Sequence, residues 1–251
     1  MLGPLSADIF ALLTFVSFLT SAMTAAFGIG GGVALMAVMA QVMPPFALIP
    51  VHAVVQMGSN ISRLILLFRD VNWWATGWFA VGGLAGALTG VNTVVTLDAA
   101  ILQLILGVFI LVSFAVPSRI TAKAGAPLVV LGAVLSTFTS FFIGASGPLT
   151  SVVVKSLGIE RHAHVATFSA AMSLQHGAKI IAFGWLGFAF AEYAIAMVAM
   201  ISAGFLGTLA GRFLLNKMSE TYFRWGLNGC LALLALRLIY IGITGLNADP
   251  A

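Results

Sequence analysis

Residues 27–43 read FGIGGGVALMAVMAQVM. Glycines at 28, 30, 31 and 32 break any helix there, because glycine has the most backbone freedom to lose. The apolar run that follows, 33–43, is too short to cross a bilayer alone, since a spanning helix needs about 20 mostly apolar residues. Residues 142–157, FIGASGPLTSVVVKSL, repeat the arrangement. A break at Gly144-Ala145-Ser146-Gly147 precedes the short apolar run 148–157. Pro148 opens that run, and proline is favoured at the first helical position. Each short run reads as a half-helix preceded by an extended linker. Extended residues rise about 3.3 Å and helical ones about 1.5 Å, so linker plus half-helix reaches across roughly 30 Å. Broken backbone at membrane depth is tolerated only where it is buried or lines a wet cavity.

Outward from the two breaks the similarity continues. Residues 83–90, GLAGALTG, answer to 204–211, GFLGTLAG, with three glycines and one leucine in register. Asp98 and Gly107 answer to Glu220 and Gly229. The order is kept at offsets of 115 to 122 residues. A repeat unit this long and this apolar predicts a duplicated membrane bundle.

Composition agrees. Of 251 residues, 61% are hydrophobic and only 7% charged, against about 25% charged in soluble domains. So few charges cannot cover an aqueous surface, so the chain reads as an integral membrane protein. The net charge of +4 is dispersed between apolar segments and does not suggest nucleic-acid binding. The single cysteine, Cys230, excludes an intramolecular disulfide and reads as a packing thiol. The N-terminal MLGPLSADIF has no basic n-region, so the first apolar segment reads as a retained helix rather than a cleaved signal. Residues 245–251 read as a frayed tail.

Full spans are expected at about 7–27, 50–69, 73–95, 98–117, 125–143, 164–183, 186–211 and 223–246. The expected fold is all-α: eight full transmembrane helices plus two half-helix crossings. Basic residues of short loops mark the cytoplasmic side. With the N-terminus outside and each half-helix completing a crossing, Arg69, Arg119, Lys123, Lys155, Arg161, Arg212, Lys217 and Arg224 all fall inside. Asp8, Asp98, Glu192 and Asp249 fall outside, while Asp70, Glu160 and Glu220 share the inner side. Each half, 1–117 and 118–251, then has five crossing elements. That odd number inverts the second repeat relative to the first, within one transport domain. Trp73, Trp74, Trp185 and Trp225 sit at span ends, where an aromatic belt belongs.

Three basic residues lie within spans: Arg63, Lys179 and Arg237. Charges there are costly and usually functional. Arg63 shares a helix face with Gln56 and Asn60, and His52 extends that stripe by one turn. At an offset of 116, Asn60 pairs with His176, Arg63 with Lys179 and Ser59 with Gln175. Neither stripe contains an Asp or Glu. Buried cations without acidic partners invite an anion. The breaks agree, because half-helices starting at Gly30-Gly31-Gly32 and at Ser146-Gly147 would aim free N–H groups at an anion in the membrane interior. The expected substrate site is therefore Gly30, Gly31, Gly32, Gln56, Asn60, Arg63, Ser146, Gly147, Gln175, His176 and Lys179. His52 or His176 could carry a coupling proton, as imidazole titrates near neutral pH. Competing readings remain open. Arg63 or Lys179 could snorkel to an interface, and Arg237, which has no counterpart in the first half, reads as structural. The glycine runs at 83–90 and 204–211 read as packing surfaces.

These residues resemble the TauE/SafE sulfite exporter family, also called toluene-sulfonate uptake permeases, over essentially the whole chain. The resemblance rests on Phe27-Gly28-Ile29-Gly30-Gly31-Gly32, on the Gly-x-x-Gly-x-x-x-Gly runs and on the spacing of Asp98 and Gly107. The segments Pro50 through Asn60 and Ala166 through Lys179 look like one bacterial branch of it. It implies secondary transport of small sulfur-containing or organic anions in a bacterial inner membrane. The chain departs from the family in two places. No proline lies between Val33 and Met43, and the second glycine cluster is reduced to Gly144-Ala145-Ser146-Gly147.

The expectation is a secondary transporter that exports a small sulfur-containing or organic anion, such as sulfite or a sulfonate, by alternating access around a central anion site. An uncoupled channel or a carboxylate uptake permease would use the same site. An intramembrane enzyme would need a nucleophile–base pair or a metal cluster, and four dispersed histidines with one cysteine supply neither. No cofactor and no metal is implied. The expected partners are a small anion and the lipid bilayer, with a homodimer compatible with the sequence.

Overall fold

The computed structural model describes residues 3–27, 30–94, 98–113, 125–214 and 220–247. Among them the chain forms ten α-helices and no strand. In the first half these are α1 (Ala7–Phe27), α2 (Gly31–Val42), α3 (Pro45–Leu66), α4 (Trp73–Val94) and α5 (Ala99–Ser113). In the second they are α6 (Ala126–Ile143), α7 (Gly147–Lys155), α8 (Arg161–Trp185), α9 (Ala194–Leu214) and α10 (Glu220–Asn247). Two short helices, α2 and α7, follow the glycine breaks, but α2 begins at Gly31 rather than 33, so Gly31 and Gly32 are helical. Only Gly144, Ala145 and Ser146 separate α6 from α7, too few for an extended linker. Among the described residues, Ala7–Ala25, Ala126–Ile143 and Phe190–Gly211 are long and apolar enough to cross a membrane. Helices α3 and α8 are long enough too, but their polar stripes lower their hydropathy.

Two other boundaries differ from the sequence reading. Helix α3 begins at Pro45, ahead of the expected residue 50. Pro44 precedes it and Pro45 occupies its first turn, where a missing N–H costs nothing. Pro50 therefore lies inside the helix rather than opening it. Helix α9 begins at Ala194, not 186. The intervening residues form a turn through Gly187 at φ 82° and a 3₁₀ segment, Phe190–Tyr193. The loop basic residues Arg119, Lys123 and Lys217 and part of the expected span 98–117 lie outside the described residues.

Helix α1 packs along α9, α4 along α6, α3 on α8 and α5 on α10. Each half's first helix thus meets the other half's fourth, and third meets third and fifth meets fifth. Exchanging the two halves leaves these principal neighbours unchanged. Small residues make the contacts possible. A Cβ on Gly86 would stand 2.5 Å from the Val134 carbonyl oxygen, and one on Gly204 would stand 2.8 Å from Ser21 Oγ. On Gly207 and Gly211 it would overlap the carbonyls of Phe18 and Ala22. Without Cβ atoms the backbones approach closely, the dominant packing device where no hydrophobic effect drives helices together. The glycine runs are packing surfaces, as expected.

Polarity is inverted relative to a soluble protein. Ser140, Ser146, Thr150, Ser151, His176 and Lys179 are fully buried, while Leu84 is 64% exposed and Leu233 71%. A polar centre inside a contiguous apolar exterior is the arrangement lipid stabilises.

Candidate functional site

The beginnings of α2 and α7 face one internal cavity. Gly30 and Gly32 border it from the first break, Ala145 and Gly147 from the second. Gly30 has φ 102° and Gly144 φ 70°, conformations that glycine adopts without a Cβ clash. These residues let the chain turn into each half-helix within a few positions. The cavity measures about 30 Å³, above the roughly 10–15 Å³ that one water needs.

Helix α3 lines it with His52, Gln56, Asn60 and Arg63, which stack on one face because their spacing follows the helical repeat. Arg63 is 5% exposed. Its Nη2 donates to Asn60 Oδ1 at 2.8 Å, its Nη1 to Ser59 Oγ at 3.0 Å and its Nε to Ser169 Oγ at 3.4 Å. All three partners are neutral. A guanidinium carries five N–H groups, so one remains on each terminal nitrogen. That pair is the fork that binds two oxygens of one oxyanion. Asn60 Nδ2 donates to the Gln56 carbonyl at 2.8 Å, which braces the face.

The two histidines sit opposite each other, with ring centroids 5.9 Å apart at 66°. His52 Nε2 lies 2.9 Å from the Gly32 carbonyl oxygen, so Nε2 carries the hydrogen and donates it. His52 Nδ1 and both ring nitrogens of His176 are buried without a partner among the described residues. A buried polar atom left unpaired costs about 1–3 kcal/mol. A water or ligand in the cavity would remove that cost at His176.

The remaining expected residues lie behind the cavity wall. Gly31 packs under α1, against the Thr20 carbonyl and Thr24 Oγ1. Gln175 Oε1 accepts from Ser146 Oγ at 2.6 Å and from Thr150 Oγ1 at 3.5 Å. Its Nε2 donates to Ser136 Oγ and Thr137 Oγ1, each at 3.0 Å. Ser146 and Gln175 thus belong to a saturated polar cluster joining α6, α7 and α8. Lys179 Nζ donates to the Gly144 carbonyl at 2.6 Å and ties α8 to the second break. Arg237 Nη1 donates to Gln41 Oε1 at 2.5 Å, linking α10 to α2. So the structure brings Gly30, Gly32, Gln56, Asn60, Arg63, Gly147 and His176 together with His52. It sets Gly31, Ser146, Gln175 and Lys179 one layer back.

Sequence reasoning missed Thr24, Val33, Ala145, Phe168 and Met172, which also line the cavity. The signal for two of them was present. The register that pairs Arg63 with Lys179 sets Phe168 against His52 and Met172 against Gln56. The hydroxyls of Ser136 and Thr137, buried mid-helix in α6, were legible only as polar residues in an apolar span.

Among the described residues the cavity is lined by one cation and no carboxylate, with a second cation just behind it. Its chemistry is that of an anion site. Comparison with curated proteins and with solved structures returns no significant match. A family model described as sulfite exporter TauE/SafE matches residues 13–238, from α1 into α10 and across both breaks and both polar stripes. The chain belongs to the TauE/SafE sulfite exporter family, a family of membrane transporters.

Proposed function

We propose that this multi-pass protein is a secondary transporter that exports a small sulfur-containing or organic anion, such as sulfite or a sulfonate, from a bacterial cell across its inner membrane. The observation that carries this reading is the meeting of both half-helix beginnings with the unspent fork of Arg63 in one buried cavity. Two half-helix N-termini offer free N–H groups and positive dipole ends. Arg63 neutralises the anion, Gln56 and Asn60 orient it, and His176 accepts or donates a hydrogen bond. Lys179 adds positive charge from the second break. The exchange-invariant helix pairing supports two inverted repeats, 1–117 and 118–251, that rock against each other to give alternating access. His52 and His176, which face each other, are the candidate carriers of a coupling proton.

Flux in liposomes tests this. Purified protein in vesicles loaded with sulfite should release it far faster than empty vesicles. An imposed pH gradient should then drive accumulation against the sulfite gradient. Flux without accumulation would favour an uncoupled facilitator, and no flux of any small anion would refute the transport reading.

A further inference from the structure

One charged side chain interrupts the apolar exterior. Arg237 lies on the exposed face of α10, between Leu233, 71% exposed, and Tyr240, 68% exposed. These positions share a face because residues three and four apart on a helix are neighbours. Leu236 beside it is exposed as well, so this face of a spanning helix looks out to lipid. Arg237 Nη1 donates to Gln41 Oε1, and Gln41 Nε2 donates to the Leu234 carbonyl at 3.3 Å. Gln41 is thereby held with its oxygen toward the guanidinium. A guanidinium carries five N–H groups, and this bond uses one. Among the described residues the others meet no acceptor and no carboxylate. Hydrocarbon offers none either, and a cation or polar group left unsatisfied in it is costly.

Depth and surroundings indicate what supplies the acceptors. Helix α2 begins at the internal cavity, and Gln41 stands ten residues after Gly31, about 15 Å along the axis. With the cavity at mid-depth, that is half of the roughly 30 Å hydrocarbon core. The guanidinium bonded to Gln41 therefore lies where lipid phosphates begin. Toward the membrane centre the same face of α10 runs through Leu233 to Gly229, where an added Cβ would meet nothing within 4 Å. An exposed leucine followed by an open notch is a track for a hydrocarbon chain. Tyr240, one turn from Arg237 on the other side, carries its hydroxyl at headgroup level, where tyrosine is enriched.

We infer that Arg237, with Gln41 and Tyr240, holds the phosphate of an anionic phospholipid, one acyl chain of which lies along Leu233 and the Gly229 notch. In a zwitterionic lipid the headgroup ammonium already compensates the phosphate. In phosphatidylglycerol the phosphate keeps a net charge that Arg237 neutralises. A free anion lacks the chain that the notch seats.

Native mass spectrometry of the purified full chain in an uncharged detergent tests this, with phosphatidylglycerol, phosphatidylcholine and inorganic phosphate as probes. Phosphatidylglycerol should bind about fivefold more tightly than phosphatidylcholine, the factor that one basic residue beside an anionic lipid supplies. Arg237→Gln should abolish that preference, and Arg237→Lys should keep it. Gly229→Leu should weaken both lipids by filling the notch, and inorganic phosphate should displace neither. Equal binding of the two lipids by the wild type would overturn the inference, as would a preference that survives in Arg237→Gln. Displacement by inorganic phosphate would overturn it in favour of a free anion. A lipid-free dimer that Arg237→Gln dissociates would overturn it in favour of a contact between copies of the chain. Where Arg237→Gln does not fold, Gly229→Leu decides, and unchanged lipid affinity in that variant refutes the seat.

Discussion

Replacing Arg63 by methionine removes the fork while keeping a chain of similar length. The wild-type guanidinium spends three N–H groups on Asn60, Ser59 and Ser169 and keeps two for a ligand. A hydrogen bond to a charged group contributes about 1.5–3 kcal/mol. Losing two therefore costs the bound anion about 3–6 kcal/mol, which is a weakening of roughly 10²–10⁴-fold. Arg63→Lys keeps the charge but not the planar fork, so its loss should be smaller, on the order of tenfold. Stability should change much less than affinity. The variant loses three hydrogen bonds to neutral oxygens, but it also removes a charge that is costly to bury. Isothermal titration with methanesulfonate or sulfite, alongside thermal melting in detergent, separates the two effects. If Arg63→Met melts normally and binds within about threefold of wild type, a difference under ~1 kcal/mol, Arg63 does not hold the anion.

Three further outcomes are expected. Gln175→Leu strands the hydroxyls of Thr137 and Ser146, both fully buried, while Ser136 Oγ keeps its bond to the Ala133 carbonyl at 3.4 Å. At about 1–3 kcal/mol for each unpaired group, its melting temperature should fall by several degrees, and an unchanged melt would refute a saturated cluster. Gly207→Leu drives a side chain into the Phe18 carbonyl of α1, whereas Gly77 has nothing within 4 Å of an added Cβ. The first variant should lose its monodisperse peak in size-exclusion chromatography while Gly77→Leu keeps it, and equal behaviour would contradict the close approach of α1 and α9. Accessibility tags beside Arg69 and Arg212 should report the same side of the membrane, with one beside Glu192 on the other; opposite sides for the two arginines would sink the inverted repeat.

Much of this was readable before folding because it depends on local properties. The glycines and the short apolar runs after them mark α2 and α7, since backbone freedom and helix length act within a few residues. Helical spacing placed His52, Gln56, Asn60 and Arg63 on one face, and the repeat register carried His176 to the opposite wall. Helix starts were harder. Pro50 looks like a first-turn residue, and so does Pro45; α3 begins at the earlier of the two. What the chain could not disclose is which members of a stripe face the void and which are taken by neighbours. Arg63 and Lys179 hold equivalent places in the repeat, yet one keeps two free N–H groups at the cavity and the other is bonded to the Gly144 carbonyl. Gln175 looks like a ligand until four hydroxyls from α6 and α7 consume its amide. Sequence thus determined the broken helices, the glycine packing faces and the excess of buried cations. Only the tertiary structure decided which donors remain free for a ligand, because a hydrogen bond is won by the acceptor a few ångströms away, and that distance is set by helices far apart in the chain.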